Sequence, residues 1–408
     1  MSFAEHLPPT PALSSSLTII ITTSPVRSNP SLALLHETFA TFQFGNSSQT
    51  TTNFTSCKKL IVCDGFRQKH TDSTSRKHSG TKAAMRSGFV DDEQRENYIK
   101  FKANLADRVK SASTAPEDDF YNTTILELQS RHGYGFALKE AVKTVETKFV
   151  CVIQHDRTFM RRTPILEVVK AMENDGAVKY VGILMRSNLV YLDQTMKYGK
   201  AIFGQMERAI KRPKELLLNS REYNNKSVCE ELYGRFPRCG EKYRALREQY
   251  RANLTYRKLV ETSLVPSGEG EEDGEGEKEK VQSSLIPTLF WSDNIHVAVT
   301  AHYRGGLSEW LQNGYLHHIH TNSKFADFVF DEAKKLVARG GFVEDKISQV
   351  MVEQVKEKGF EEGFGMFGCY LLDDHAGVAF TGHIDGGSYL TDELKSVAKG
   401  FNDIKLEE

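Results

Sequence analysis

The chain has 408 residues, of which 39% are hydrophobic, and its formal net charge is −1. This length and composition are sufficient for the core of one large domain or two, and the balanced charge gives no general basis for binding nucleic acid. The cysteines lack the spacing of metal ligands, and we expect reduced thiols and a cytoplasmic protein. The apolar run at 17–21 is too short for a membrane span, and no basic segment precedes it as a signal peptide would require.

Strands alternate with helices in the first half of the sequence. Runs of apolar residues predict strands, and amphipathic segments between them predict helices. The predicted strands are 17–23, 58–65, 124–129, 148–154 and 178–185. The predicted helices are 31–42, 91–109, 135–146 and a segment that starts near Pro164. This order predicts an α/β fold with a mostly parallel, Rossmann-like sheet that is flanked by helices and joined by right-handed crossovers.

The second half of the sequence is less regular. Residues 196–264 are basic and helical in tendency, and we interpret them as a helical insertion with a solvated cationic face. Residues 265–284 predict an acidic disordered linker, because their composition cannot offset the entropy cost of ordering the chain. The apolar pattern resumes over 285–392. We expect the two ends, 1–16 and 393–408, to be a disordered N-terminus and a C-terminal tail.

Residues able to bind a ligand follow three of the predicted strands directly. They are Thr23, Ser24 and Pro25 after the first strand, Asp64 after the second, and His155 and Asp156 after the fourth. Ligands of open α/β sheets bind at the carboxyl ends of strands, so these residues predict a binding site, although each also has a local interpretation as a turn former. Gly133 precedes the helix at 135–146, where backbone N–H groups face an anion, and helix initiation without a ligand explains it equally.

The order of these features resembles a known family. The strand ending in Asp64–Gly65, the segment RHGYGFALKEAV and the strand FVCVIQHD are similar to the nucleotide-sugar-binding half of family 2 glycosyltransferases, which have the GT-A fold. The resemblance covers 17–185, with a looser match at 286–390. It implies a donor-binding half at 17–195 and an acceptor-side half at 285–392. The implied function is transfer of a sugar from a nucleotide-diphosphate donor to an unknown glycan or small-molecule acceptor, with inversion.

The resemblance also implies roles for particular residues. In the family, the loop after the first strand and an acid after the second hold the nucleotide base. An aspartate motif after a later strand binds a divalent ion and the diphosphate. By position in this sequence, the resemblance assigns donor binding to Thr23, Ser24, Pro25, Asp64, Gly133, His155, Asp156, Arg157 and Arg161.

The metal motif departs from the family pattern. The family usually has two acids in an Asp-x-Asp or Asp-Asp arrangement, whereas Gln154 to Arg157 contain only Asp156. Mn²⁺ and Mg²⁺ prefer oxygen ligands and commonly complete their shell with phosphate and water, so one aspartate suffices if a second protein ligand arrives from elsewhere. His383 in FTGHIDG is the candidate for that ligand. Alternatively, Arg157, Arg161 and Arg162 neutralise the diphosphate without a metal, or form only a solvated turn.

Two later segments supply candidates for the acceptor side. Glu344 and Asp345 in GGFVEDKISQ resemble the acidic pair at which inverting members begin an acceptor-side helix, with Asp345 the better candidate for the general base. An ordinary acidic helix start is the alternative. Trp291 and Asp293 in WSDNIHVA are candidate acceptor contacts, whereas His296 on the apolar run is expected to be a core histidine. Residues 364–390 predict two short strands joined by a turn at 373–377, which either return His383 to the site or form a plain structural hairpin.

Two other functions remain compatible with these patterns. Because the second metal-binding acid is missing, the fold could serve as an inactive nucleotide-binding or scaffolding module. A sugar nucleotidyltransferase would share the α/β layout. Against the nucleotidyltransferase, the first strand is followed by TTSPVRSNPS rather than by a glycine-rich loop bearing lysine or arginine.

Overall fold

The computed structural model describes residues 12–46, 53–68, 88–183, 200–219, 280–304, 344–374 and 379–384. The strands are β1 Leu17–Thr23, β2 Lys58–Cys63, β3 Arg67–Gln68, β4 Phe89–Val90, β5 Thr123–Glu127, β6 Phe149–Gln154, β7 Arg157–Phe159, β8 Tyr180–Ile183, β9 Leu217–Asn219, β10 Lys280–Gln282, β11 Ser284–Pro287, β12 His296–Val299, β13 Cys369–Asp373 and β14 Thr381–His383. The α-helices are α1 Leu13–Ser16, α2 Ala33–Ala40, α3 Asp92–Ala112, α4 Tyr134–Lys143, α5 Ile165–Asn174, α6 Lys200–Arg208, α7 Thr300–Arg304, α8 Glu344–Lys358 and α9 Phe360–Gly365. Short 3-10 helices are Phe42–Gly45, Phe54–Ser56 and Lys214–Leu216.

Eight of these strands form the main sheet, in the order β11-β13-β8-β12-β6-β1-β2-β5. Strand β12 runs antiparallel to both β6 and β8, and β11 runs antiparallel to β13. The remaining pairs in the sheet are parallel. The fold class predicted from the sequence is therefore confirmed: a large, mostly parallel sheet flanked by helices, consistent with a GT-A-like, Rossmann-like fold.

The core lies on the central strands. All seven residues of β1 are buried, as expected for a strand whose two faces are both covered. Helix α4 packs against β1 and β2 and buries Leu138, Ala141 and Val142. Helix α3 begins at a capping box, in which the Asp91 carboxylate accepts the Gln94 backbone N–H over 2.8 Å and the Gln94 side chain accepts the Asp91 N–H over 3.2 Å. These local signals explain why the sequence places the first-half elements well.

The second half departs from the sequence-based expectations in three places. Strands β13 and β14 are not the two arms of a hairpin, because β13 is fully buried between β11 and β8, whereas β14 pairs with β7. The predicted linker 265–284 ends in ordered strands, since β10 pairs with β9 and β11 begins at Ser284. The predicted disordered N-terminus includes helix α1, whose Leu13 is buried.

Other expectations fall outside the described residues. They include most of the insertion at 196–264, most of the turn at 373–377 and the tail at 393–408. The division of the chain into functional halves stays a prediction. None of the helices in the described ranges is both long and apolar enough to cross a membrane.

Candidate functional site

The carboxyl ends of β1, β2 and β6 lie side by side, and we call this edge of the sheet the carboxyl edge. The backbone N–H of Asp64 donates to the Thr23 carbonyl, and the N–H of His155 donates to the Thr22 carbonyl, each over 3.0 Å. The parallel register thus brings together the three polar strand ends that the sequence singles out. Thr23 and Pro25 are buried and Ser24 is half-buried, so Ser24 exposes the most side-chain surface of the three.

Asp64 anchors the turn that leads into α4. Its buried carboxylate accepts hydrogen bonds from the Arg131 guanidinium and from the backbone N–H groups of His132, over 2.8 Å, and Gly133, over 2.9 Å. Gly133 has a φ of 79°, in the left-handed region that favours glycine. A carboxylate offers about four acceptor positions, so these bonds still leave acceptor capacity for a ligand N–H or hydroxyl. The turn-forming and ligand-binding interpretations of Asp64 are therefore compatible.

Arg131 is a residue of this site that the sequence reasoning missed. Its side chain pairs with Asp64 and is only 10% exposed. Gly88 makes room for this side chain, because a Cβ there would lie 2.4 Å from the Arg131 Cδ, and Gly65 makes room for the preceding backbone, because a Cβ there would lie 2.3 Å from the backbone carbon of Ser130. The sequence contained two signals that could have found this pair. Arg131 stands just before the glycine-containing helix start, and Asp64 ends a predicted strand at the same edge of the sheet.

Asp156 and His383 meet at the same edge. The His383 Nε2 lies 3.0 Å from the Asp156 Oδ2. The approach is set by β7 and β14, in which His383 pairs with Arg157, and by the Ile384 N–H, which donates to the Asp156 carbonyl over 2.9 Å. Burial alone would raise the pKa of Asp156, but the hydrogen bond and charge of His383 and the charge of Arg157 hold that pKa well below its ordinary value. Asp156 is therefore ionised at neutral pH.

This pair fits part of a divalent-metal site. A carboxylate oxygen and an imidazole nitrogen both suit Mn²⁺, and Mg²⁺ accepts the carboxylate. Among the described residues, no group of three or more His, Cys, Asp or Glu side chains lies close enough to hold a metal. An ion bound here would need diphosphate or water oxygens to complete its shell. The metal roles of Asp156 and His383 stay predictions.

His155 holds the loop after β6 in place through hydrogen bonds within the protein. Its side chain is buried, its Nδ1 lies 3.2 Å from the Thr22 carbonyl, and its own carbonyl accepts the Thr38 hydroxyl over 2.7 Å. Burial lowers the pKa of His155 below its ordinary value, so the imidazole is neutral at neutral pH. These bonds tie the loop after β6 to β1 and α2 and give His155 a structural role beside the predicted donor site.

The three arginines after β6 have different surroundings. Arg157 and Arg162 are half-buried, and Arg157 lies opposite His383 in the β7–β14 ladder. Arg161 is buried, and its Nη1 and Nη2 donate to the Asp374 carboxylate over 2.6 and 2.9 Å. Both guanidinium ends thus serve a contact within the protein, which replaces the diphosphate contact expected for Arg161 from the sequence.

Asp293 reaches the carboxyl edge from the loop before β12. The Gln154 Nε2 donates to the Asp293 Oδ2 over 2.8 Å and to its carbonyl over 3.3 Å. The Tyr134 hydroxyl donates to the same carbonyl over 3.4 Å. Gln154 therefore binds a carboxylate from the second half of the chain. The role of Asp293 as an acceptor contact stays a prediction.

Trp291 belongs to the core. Its ring is 0% exposed and lies 5.9 Å from the Tyr180 ring and 5.4 Å from the His296 ring. An indole with no exposed surface cannot stack on a sugar, so the structure gives Trp291 a packing role in place of the expected acceptor contact.

His296 is a core histidine, as expected. Its Nδ1 lies 2.6 Å from the Asn294 carbonyl and its Nε2 lies 2.5 Å from the Tyr303 hydroxyl. Burial lowers the pKa of His296 to about 4.

Glu344 and Asp345 stand at the start of α8, which begins at Glu344. Their side chains lie outside the part of the chain that the structure describes. Their assignment as candidate general bases stays a prediction.

No family model and no curated protein matches this chain. Among solved structures, it is similar to S. aureus TarS in complex with UDP-GlcNAc, with 12% identity, 42% of this chain and 34% of that chain covered, and a TM-score of 0.24. It is also similar to the mannosyltransferase PcManGT from Pyrobaculum calidifontis in complex with GDP-Man and Mn²⁺, with 15% identity, 41% of this chain and 35% of that chain covered, and a TM-score of 0.21. A third similar structure is the glucosyl-3-phosphoglycerate synthase from Mycobacterium tuberculosis in complex with Mn²⁺ and UDP, with 10% identity, 47% of this chain and 52% of that chain covered, and a TM-score of 0.22. The chain thus spans between about a third and about half of the length of each neighbour. Likenesses with such TM-scores carry no argument about function.

Proposed function

We propose that the protein is a glycosyltransferase that takes its sugar from a nucleotide-diphosphate donor. The observation that carries this proposal is that two paired carboxylates, Asp64 with Arg131 and Asp156 with His383, lie at the carboxyl ends of β2 and β6, the two strands that flank β1. In open α/β sheets this edge is where ligands bind. A nucleotide diphosphate has a base and a diphosphate at its two ends, and the two centres offer one recognition site for each.

Asp64 and its neighbours would bind the nucleoside. The carboxylate is already oriented by Arg131 and by the turn before α4, so it is preorganised to accept a base N–H or a ribose hydroxyl. The end of β1 lies next to Asp64, and its residues Thr23, Ser24 and Pro25 would contact the base. Gly133 would let the ligand approach the backbone closely.

Asp156 and His383 would hold Mn²⁺ or Mg²⁺ against the diphosphate. When bound, such an ion neutralises the charge that develops on the leaving diphosphate. Arg157, beside this pair, would add a positive charge to the same region. His155 would fix the loop that carries both Asp156 and Arg157.

The acceptor would bind on the side of Asp293. We assign the general base to Asp345, with Glu344 as the neighbouring candidate, because a carboxylate there would remove the acceptor's hydroxyl proton during attack on the face opposite the diphosphate. This geometry gives inversion at the anomeric carbon. The acceptor would be a glycan or a small molecule with a hydroxyl group.

One observation favours the alternative of an inactive nucleotide-binding module. Position 154 is a glutamine whose amide is engaged with Asp293, so the motif after β6 has one carboxylate instead of two. A module of this kind would bind a nucleoside diphosphate but would not release it from a nucleotide sugar. Turnover therefore distinguishes the two functions, and release of pyrophosphate from a nucleoside triphosphate with a sugar phosphate would instead identify a nucleotidyltransferase.

The proposal is tested by thermal unfolding with nucleotides. UDP or GDP should raise the melting temperature, and more so with Mn²⁺ than with EDTA, because a ligand that binds only the folded state stabilises it by mass action. Hydrolysis of a panel of UDP- and GDP-sugars then tests catalysis. No stabilisation by any nucleoside diphosphate at millimolar concentration would reject the donor site.

A further inference from the structure

The buried ion pair between Arg161 and Asp374 lies at one end of the ribbon formed by β7 and β14, and His383 lies at the other. We propose that this pair is a positioning device that fixes the register of β14 and so holds His383 at Asp156. The inference rests on the proposed function, because it gives that function's metal site a source of rigidity.

Arg161 connects three parts of the chain. It follows β7, and it binds Asp374, which follows β13 of the main sheet, with both side chains only 3% exposed. Its Cζ also lies 3.5 Å from the centre of the Phe380 ring. Phe380 immediately precedes β14, and its carbonyl accepts the Met160 N–H over 2.7 Å. One guanidinium thus joins the end of the main sheet to the start of the strand that carries His383.

Strand β14 needs such a connection. It has three residues and, among the described strands, pairs with β7 alone. A ribbon of two short strands is marginally stable, and a slip of one residue turns every side chain to the opposite face. In the observed register Gly382 packs on Met160, where an added Cβ would lie 2.6 Å from the methionine Sδ. A slipped strand would place a larger residue there and would move the His383 imidazole away from Asp156.

A purely stabilising role is the competing explanation. Buried ion pairs, however, often stabilise no more than packed apolar residues of the same size, and their best-attested use is to specify one register. The two explanations differ in what they predict for His383. A stabilising pair changes global unfolding only, whereas a positioning pair changes the β7–β14 ladder and metal affinity in a protein that is still folded.

The chain contains a matched control. Arg108 binds both Asp118 oxygens over 2.7 Å, and its Cζ lies 4.8 Å from the centre of the Phe120 ring, so it makes the same bidentate and ring contacts on α3, away from β14 and at a partly exposed site. The test compares Arg161→Lys with Arg108→Lys. Lysine keeps the charge but loses the bidentate geometry. The measurements are amide hydrogen exchange at Ile384 and Met160, relative to amides of β1, and the dissociation constant of Mn²⁺.

We expect Arg161→Lys to speed exchange at Ile384 and Met160 by about tenfold or more, and to weaken Mn²⁺ binding by about tenfold, the usual scale for losing an outer-shell contact. Arg108→Lys should change neither. If Arg161→Lys does not fold, the double variant Arg161→Met/Asp374→Leu removes both charges without leaving either one unpaired, and the same measurements apply. Unchanged protection of Ile384 in a folded variant would overturn the proposal. If the wild type binds no Mn²⁺ and no nucleotide, the proposed function fails, and the exchange comparison still decides whether the pair sets the register.

Discussion

His383 Nε2 lies 3.0 Å from Asp156 Oδ2, although 227 positions separate the two residues in the sequence. The contact joins the loop after the central strand β6 to one of the last strands described. If both groups are metal ligands, Asp156→Ala or His383→Ala should abolish Mn²⁺-dependent nucleotide binding and leave the protein folded, because residues at strand ends contribute little to the core. Isothermal titration with UDP and GDP measures this. Equal affinities of the wild type in Mn²⁺ and in EDTA would reject the metal and favour charge neutralisation by Arg157 and Arg162.

Replacing Asp64 with asparagine should weaken nucleotide binding and lower the free energy of unfolding by about 1–3 kcal/mol, the usual cost of leaving a buried partner unsatisfied. Asp118→Asn is a suitable control, because the Asp118 carboxylate also binds an arginine and a backbone N–H, that of Phe120. Urea unfolding with and without nucleotide separates the two effects. If the nucleotide stabilises Asp64→Asn as much as the wild type, Asp64 is only a turn residue.

Asp345→Asn should leave donor binding nearly intact and reduce transfer by about a hundredfold or more, because a general base acts in the chemical step. Steady-state transfer from a matched nucleotide sugar, at saturating donor, measures the loss. Glu344→Gln is the paired control. A loss in Glu344→Gln instead would move the base by one residue, and no loss in either variant would make the pair an ordinary helix start.

Trp291→Ala should lower the free energy of unfolding by about 3–5 kcal/mol, the typical cost of truncating a buried aromatic residue. The more conservative Trp291→Phe should leave the KM for the acceptor unchanged, since the ring has no exposed surface. Asp293→Asn, by contrast, should change that KM. A raised acceptor KM in a stable Trp291→Phe protein would restore the indole as an acceptor contact.

Lys59 should make stability depend on pH in the alkaline range. It is buried, its Nζ donates to the carbonyls of Thr55 and Tyr121 over 2.6 and 2.9 Å, and burial lowers its pKa to about 8. The unfolded chain, with the ordinary pKa of 10.5, binds more protons at this lysine between these values, so the contribution of Lys59 to the free energy of unfolding should rise from pH 8 to 10.5, by up to about 3 kcal/mol. Denaturant unfolding across this range measures this contribution as the difference in the free energy of unfolding between the wild type and Lys59→Met, which should grow with pH. For Lys58→Met, at the neighbouring half-exposed lysine, the same difference should not change with pH.

The sequence predicts the parts of the site that depend on local pattern. Asp64 and Asp156 follow apolar strands, and parallel strands align their carboxyl ends, so their shared edge follows from the order of elements. Arg161 could not be placed this way, because its partner Asp374 lies 213 positions away. Before the fold is known, an arginine after a strand is equally consistent with a diphosphate contact and with an ion pair.

The burial of Trp291 could not be predicted from the sequence either. Its neighbours in the sequence, Ser292, Asp293 and Asn294, suggest an exposed polar loop. The ring is instead enclosed by Tyr180 and Tyr303, which come from β8 and α7. Burial of one side chain depends on which elements converge on it, and a local window of sequence does not contain that information.

The position of β12 between β6 and β8 has a consequence for how the chain is made. Residues 17–195 contain β6 and β8, but these two strands do not pair with each other, because His296–Val299 lies between them and pairs with both. Synthesis proceeds from the N-terminus, so a nascent chain that has reached 195 holds two open strand edges where the sheet will later be continuous. A protein cut after 195 would keep those edges permanently and would be prone to aggregate. Residues 17–195 and β12 are therefore parts of one folding unit, and the place between β6 and β8 can be filled only after nearly 300 residues have left the ribosome.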